Sequence, residues 1–189
     1  PETTEINVEK KWDDKNNQDG VRPDQITITL YADGESESTR VITAEDNWKT
    51  SFTNLPKYDS GKEIEYTVTE NPIEGYTLSS NVTSDNTITL TNSYTPELTS
   101  KTVVKEWRDS NNQDGIRPEY IEVQLYANGT KTGSPVQLSE SNQWTYTFEN
   151  LDKNQAGEEI KYTVEEVNVP NGYTVKYEDD SFKIINTHY

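Results

Sequence analysis

Apolar and polar residues alternate along most of this chain. Ile6, Val8, Lys10 and Trp12 fall on one face of a period-two run, and Ile26, Ile28 and Leu30 on the face of the next. Residues 40–42 and 48–52 continue the pattern, and Asn54-Leu55-Pro56 breaks it. Ile64, Tyr66, Val68 and Glu70 alternate again, 76–78 is short, and Ile88, Leu90 and Asn92 close the set. A period of two puts successive side chains on opposite faces of a strand. No stretch carries a convincing helical period. The pattern predicts about seven short strands folded as an antiparallel sandwich.

The pattern is written twice. Lys10-Lys11-Trp12-Asp13-Asp14 is echoed by Lys105-Glu106-Trp107-Arg108-Asp109. Asn16-Asn17-Gln18-Asp19-Gly20-Val21-Arg22-Pro23 is echoed by Asn111-Asn112-Gln113-Asp114-Gly115-Ile116-Arg117-Pro118. Tyr66-Thr67-Val68 returns as Tyr162-Thr163-Val164, and Gly75-Tyr76 as Gly172-Tyr173. The small drift in spacing falls in loops, which tolerate insertions. Each copy is long enough for its own core. Two tandem domains are expected, 1–95 and 96–189, parted near Tyr94-Thr95-Pro96-Glu97-Leu98.

Duplication also picks out polar residues on core faces. Lys10 shares its face with Ile6, Val8 and Trp12, Glu70 with Tyr66 and Val68, and Asn92 with Ile88 and Leu90. The second copy repeats all three: Lys105 with Val103 and Trp107, Glu166 with Tyr162 and Val164, Asn186 with Phe182 and Ile184. Neighbouring charges fail this test, since Lys11 aligns with Glu106 and Glu65 with Lys161. An unpaired buried charge costs several kcal/mol, so such groups neutralise or meet. Desolvation lowers a Lys pKa and raises a Glu pKa. A neutral amine is a nucleophile, and a protonated carboxyl can polarise an amide carbonyl. Set side by side, Lys and Asn can form an isopeptide bond and release ammonia, with proximity supplying the rate. The same pattern suits a buried Lys–Glu pair with Asn as its hydrogen-bond partner. The residues alone leave both readings open.

Composition narrows the setting. Of 189 residues only 30% are hydrophobic, which suits two thin sandwiches better than one large core. A formal charge of −17 repels nucleic acid and anionic lipid and favours a soluble monomer. No apolar run is long enough for a membrane helix. Without cysteine, disulfides and thiolate metal sites are excluded. The chain begins at Pro1 without Met and reads as a piece of something longer.

The Lys-x-Trp opening, the Asn-Gln-Asp-Gly-x-Arg-Pro loop, the Tyr-Thr-Val-x-Glu strand, the Gly-Tyr-Thr turn and the terminal strand around Asn92 and Asn186 resemble the B-type (CnaB) repeats. Such repeats occur in collagen adhesins and pilins of Gram-positive bacteria. The resemblance covers nearly the whole chain, twice. It implies an inverse immunoglobulin-like, prealbumin-like sandwich in a cell-wall-anchored, secreted surface protein. It also implies a stalk that holds a separate matrix-binding region off the surface, with neighbouring repeats as partners. In many members a Lys on the first strand bonds to an Asn on the last, assisted by a Glu. Lys10, Asn92 and Glu70 match those places, as do Lys105, Asn186 and Glu166. Arg108 and His188 depart from the first copy, which has Asp13 and Tyr94 there.

Other chemistry is weaker. A calcium frame in the Asn-Gln-Asp-Gly loops is spoiled by Lys15 and has only Ser110 as first ligand in the second copy. The plainer reading is a turn whose Asn and Asp bond their own backbone, with Arg22 and Arg117 paired to nearby carboxylates. Trp48 and Trp144 alternate with strand neighbours, which favours core over a ligand groove. No phosphate loop or catalytic triad is present, so no cofactor, metal or external substrate is expected. Two functions stay open: a self-crosslinked spacer, or a module that itself contacts host matrix.

Overall fold

Most of the alternating runs become strands. In the computed structural model, which describes residues 1–189, the chain forms two compact units, Pro1–Pro96 and Glu97–Tyr189. The first holds β1 (Thr3–Asp13), β2 (Gln25–Ala32), β3 (Glu35–Thr43), β4 (Lys49–Pro56), β5 (Tyr58–Asp59), β6 (Lys62–Glu63), β7 (Tyr66–Glu70), β8 (Thr77–Ser84) and β9 (Thr87–Ser93). The second holds β10 (Leu98–Arg108), β11 (Tyr120–Ala127), β12 (Thr130–Ser139), β13 (Thr145–Asp152), β14 (Asn154–Gln155), β15 (Glu158–Glu159), β16 (Tyr162–Val167), β17 (Thr174–Glu178) and β18 (Lys183–Thr187).

Each unit is built from two main sheets. In the first their orders are β4-β1-β9-β8 and β3-β2-β7, and in the second β13-β10-β18-β17 and β12-β11-β16. Short ribbons, β5-β6 and β14-β15, complete them. Inward residues of both sheets meet in one core per unit. Ile6 and Val8 of β1, Ile28 and Leu30 of β2, Val68 of β7 and Ile88 and Leu90 of β9 form the first. Val103, Val123, Leu125, Val164 and Ile184 lie in the second. The expected all-β fold of two sandwich domains is borne out.

The pairing of first strand with last has a distinct geometry. β1 and β9 run parallel, with Lys10 opposite Leu90 and Trp12 opposite Asn92. β10 and β18 do the same, with Lys105 opposite Ile184 and Trp107 opposite Asn186. The other pairings are antiparallel. A parallel pair needs a long crossover, which the rest of each unit supplies.

Details differ from the sequence reading, beginning with Ile64, which lies just before β7 rather than within it. β8 runs Thr77–Ser84 rather than stopping at 78. Leu78 and Val82 are exposed, so this edge strand carries no core alternation to be read. Trp48 and Trp144 are not strand residues. They sit in left-handed backbone, at φ +56° and +57°, just before β4 and β13. Both rings still pack against the cores, as expected.

Candidate functional site

The site grows from the middle of the first sheet. Lys10 lies near the end of β1, and its backbone N–H donates to the Trp48 carbonyl at 2.8 Å. Lys105 donates to Trp144 at the same distance. A positive φ at a bulky residue is strained, and strain of this kind persists only where surrounding contacts enforce it. Here those contacts include an edge-to-face stack of Trp48 on Trp12, and of Trp144 on Trp107.

The lysine side chains turn inward. Lys10 is 3% exposed and Lys105 5%. The Lys10 Nζ lies 3.9 Å from the centre of the Trp12 ring and donates to the Lys11 carbonyl at 2.8 Å. Lys105 repeats both contacts with Trp107 and Glu106, at 3.6 and 2.9 Å. Parallel register makes Asn92 the diagonal neighbour of Lys10 on the same face, and Asn186 that of Lys105. Both asparagines are at most 1% exposed.

Glu70 and Glu166 come from the facing sheet, on β7 and β16. The Asn186 Nδ2 donates to the Glu166 Oε2 at 3.0 Å, and Asn92 likewise hydrogen-bonds Glu70. The structure therefore gathers each trio around the core. In both units the Glu Oε1 and the Asn Oδ1 are buried without a hydrogen-bond partner. Such atoms carry a desolvation cost and are rare in folded proteins.

Electrostatics moves both charged groups toward neutrality. Burial pushes the Lys10 ammonium down to about 8, against the attraction of Glu70 and Asp14. Burial pushes Lys105 down as well, against Glu166. Burial pushes Glu70 and Glu166 up, against the Asn hydrogen bond and the Lys charge. In its neutral form each trio holds a nucleophilic amine, an amide and a carboxylic acid.

A second constellation seals the end of β1. The buried Asp14 carboxylate accepts from Arg22 Nε and Nη2 at 3.0 and 2.6 Å, from the Tyr76 hydroxyl at 2.7 Å and from the Asn17 N–H at 3.0 Å. Asp109 makes the same four contacts, at the same distances, with Arg117, Tyr173 and Asn112. Burial would raise Asp14, but Arg22, Tyr76 and the Asn17 N–H together hold it below the usual carboxylate range. The Arg117 hydrogen bond holds Asp109 well below that range, and burial beside Asp109 lifts Tyr173 to about 12.

The expected pairing of Arg22 and Arg117 is present. The sequence pattern alone does not single out Asp14, Tyr76 or their second-unit partners, although each recurs in both copies. Two of the loop's polar side chains are also committed: Asn17 Oδ1 accepts the Arg22 N–H at 3.0 Å, and Asp19 Oδ2 accepts the Tyr94 hydroxyl at 2.7 Å.

Comparison with known proteins agrees with the motifs. The Cna protein B-type domain family matches residues 6–93 and again 101–187. A collagen adhesin of Staphylococcus aureus is 52% identical over 180 residues, covering 95% of this chain and 15% of that protein. A solved single B repeat unit of the S. aureus collagen binding surface protein is 48% identical, covers 99% of both chains and has a TM-score of 0.48. A solved pair of B repeat units from that protein is 49% identical over 99% of this chain and 49% of that one, at TM-score 0.46. The resemblance read from the sequence is borne out, and this chain belongs to the Cna protein B-type domain family, as two such domains in tandem.

Proposed function

We propose that this chain is a stalk segment of a Gram-positive surface adhesin, in which each domain is clamped by its own Lys–Asn isopeptide bond. The observation that carries this is a Lys–Glu–Asn trio on the core face with buried, orphaned acceptor atoms, present twice. Each trio is costly as a set of charges and coherent as a set of reactants.

The chemistry balances within the trio. A proton passes from the Lys ammonium to the Glu carboxylate, leaving a neutral amine and a carboxylic acid. Turning the Asn amide about its Cβ–Cγ bond puts Oδ1 where Nδ2 lies, beside that acid. The acid donates to Oδ1 and polarises the carbonyl. Lys Nζ attacks Asn Cγ, and the Cγ–Nδ2 bond breaks. A proton from the amine, relayed by the Glu, leaves with Nδ2 as ammonia. The strand register supplies the alignment. Each domain turns over once, on itself, so the chain is no enzyme for external substrates.

The mechanical consequence follows from topology. Tension enters at the start of β1 and leaves at the end of its parallel neighbour β9. A bond from Lys10 to Asn92 carries that tension and spares the strands between. It closes a loop of roughly 80 residues which, by analogy with a long disulfide loop, stabilises by about 4–5 kcal/mol. Unlike a disulfide, it resists reduction.

The chain spans about 15% of the adhesin it matches, and we assign matrix binding and cell-wall anchoring to other parts of its parent. Neighbouring repeats are then its direct partners, and it works as a secreted, monomeric spacer. Intact mass tests the chemistry: the purified chain should weigh two ammonia less than its sequence. A mass equal to the sequence overturns the crosslink. Binding of this chain alone to immobilised collagen would overturn the spacer role.

A further inference from the structure

The two trios match, but their lids do not. β16 is an edge strand, hydrogen-bonded only to β11 in its sheet. An edge leaves backbone N–H groups that need partners when buried. The Glu166 N–H finds one outside its own sheet, donating to the Tyr177 hydroxyl at 2.9 Å. Tyr177 stands on β17, the edge of the other sheet, opposite Ile184. Its ring packs against the second core together with Val175. One side chain thus bridges the open edges of both sheets at the residue that carries the acid.

The first domain is closed differently. Asn81 occupies the corresponding place on β8, opposite Leu90. Its amide donates to the Val68 carbonyl at 3.1 Å, two residues short of Glu70. No apolar side chain of β8 belongs to the first core. Glu70 is correspondingly half-buried, whereas Glu166 is 7% exposed.

We propose that Tyr177 is a positioning residue that encloses Glu166 and gives the second domain a wider pH range for crosslinking than the first. The proposal rests on the isopeptide reading. An enclosed carboxyl keeps its proton to higher pH, and a protonated acid is what the amide carbonyl needs. The groups facing Glu166 are Lys105 from β10, Asn186 from β18 and Tyr177 from β17. Arg117, Asp109 and Glu106 act on Lys105, and Glu165 acts on Tyr177. In the first domain Glu70 faces Lys10 and Asn92, and Asp14 and Arg22 act on Lys10. The Asp–Arg pair is common to both, so an exchange at 81 and 177 isolates the lid.

The test is cell-free synthesis of the full chain across a pH series, followed by intact mass and by peptide mapping that assigns each bond. Above neutrality the second bond should form faster than the first. Tyr177→Asn should slow it there, by about tenfold for each pH unit lost from the protonated range of Glu166, and bring its profile onto that of the first bond. Asn81→Tyr should shift the first profile the opposite way, which decides the matter even if Tyr177→Asn folds poorly. Tyr177→Phe, which keeps the ring and loses the hydroxyl, should fall between. A wild-type chain that loses no ammonia overturns the crosslink and this role together. Two ammonia lost, with profiles unmoved by either exchange, overturns the role of Tyr177 alone.

Discussion

The two domains agree where chemistry and packing coincide and differ where the site meets solvent. Lys, Glu and Asn recur, and so does the Asp–Arg–Tyr seal with its four contacts. Among the differences are β8 against β17 and the residue two beyond the asparagine. Tyr94 holds that place in the first domain and His188 in the second. A buried polar group has few alternatives, because any change leaves a partner stranded in low dielectric. A lid has many, because an amide or a phenol can each satisfy an edge strand. The copies therefore separate the buried polar groups that stay fixed from the edge-strand contacts around them that vary.

The strongest way to break this comparison is to remove one clamp at a time. Lys10→Ala should keep one crosslink, read as a loss of one ammonia, and destabilise the first domain by about 4–5 kcal/mol. Lys105→Ala should do the same to the second. Calorimetry should then show one lowered transition beside one unmoved. If either substitution lowers both transitions, the domains are not separately bolted.

The next effect should be equal in the two halves. Arg22→Ala and Arg117→Ala each strand a carboxylate whose side chain is at most 1% exposed. Breaking such a pair costs about 3 kcal/mol, with the guanidinium partly in water. Denaturant unfolding in Lys→Ala backgrounds should return matching losses. A sharper and smaller contrast comes from Tyr177→Phe. It removes the acceptor of the Glu166 N–H and should cost the second domain about 1–2 kcal/mol. The first domain should not respond.

Much of this was legible in the sequence because duplication acts as an internal filter. Period-two alternation located the core of β1, β2, β7 and β9, and recurrence reduced many charged residues to one trio per domain. Asp14 and Tyr76 also recur, yet an Asp after a strand reads as loop, and nothing local says that it is buried. β8 reads short in the sequence because Leu78 and Val82 face solvent. Trp48 reads as strand because alternation is blind to the sign of φ. Tyr177 left no signal, since β8 and β17 lie in a stretch where the copies differ. What closes the site depends on which edges face each other, a property of the folded sheets.

The smallest expected effect is the pH dependence of the second domain. Both ring nitrogens of His188 face acceptors: Nδ1 lies 2.8 Å from the Gly172 carbonyl and Nε2 2.8 Å from Asp114 Oδ2. A neutral imidazole has one N–H and can serve only one of them, whereas the imidazolium serves both. The Asp114 hydrogen bond and then the Gly172 carbonyl hold His188 above its ordinary value. A raised folded pKa gives stability that is fully present below the unfolded value, about 6.5, and is lost as pH rises through the folded one. In the first domain Tyr94 donates a hydroxyl to Asp19 at 2.7 Å, with no imidazole to titrate. Between about pH 6 and pH 8 the melting temperature of the second domain should therefore fall relative to that of the first. His188→Tyr should flatten that slope, and Tyr94→His should transfer it to the first domain. A slope that survives His188→Tyr would place the titrating group elsewhere and remove this difference between the halves.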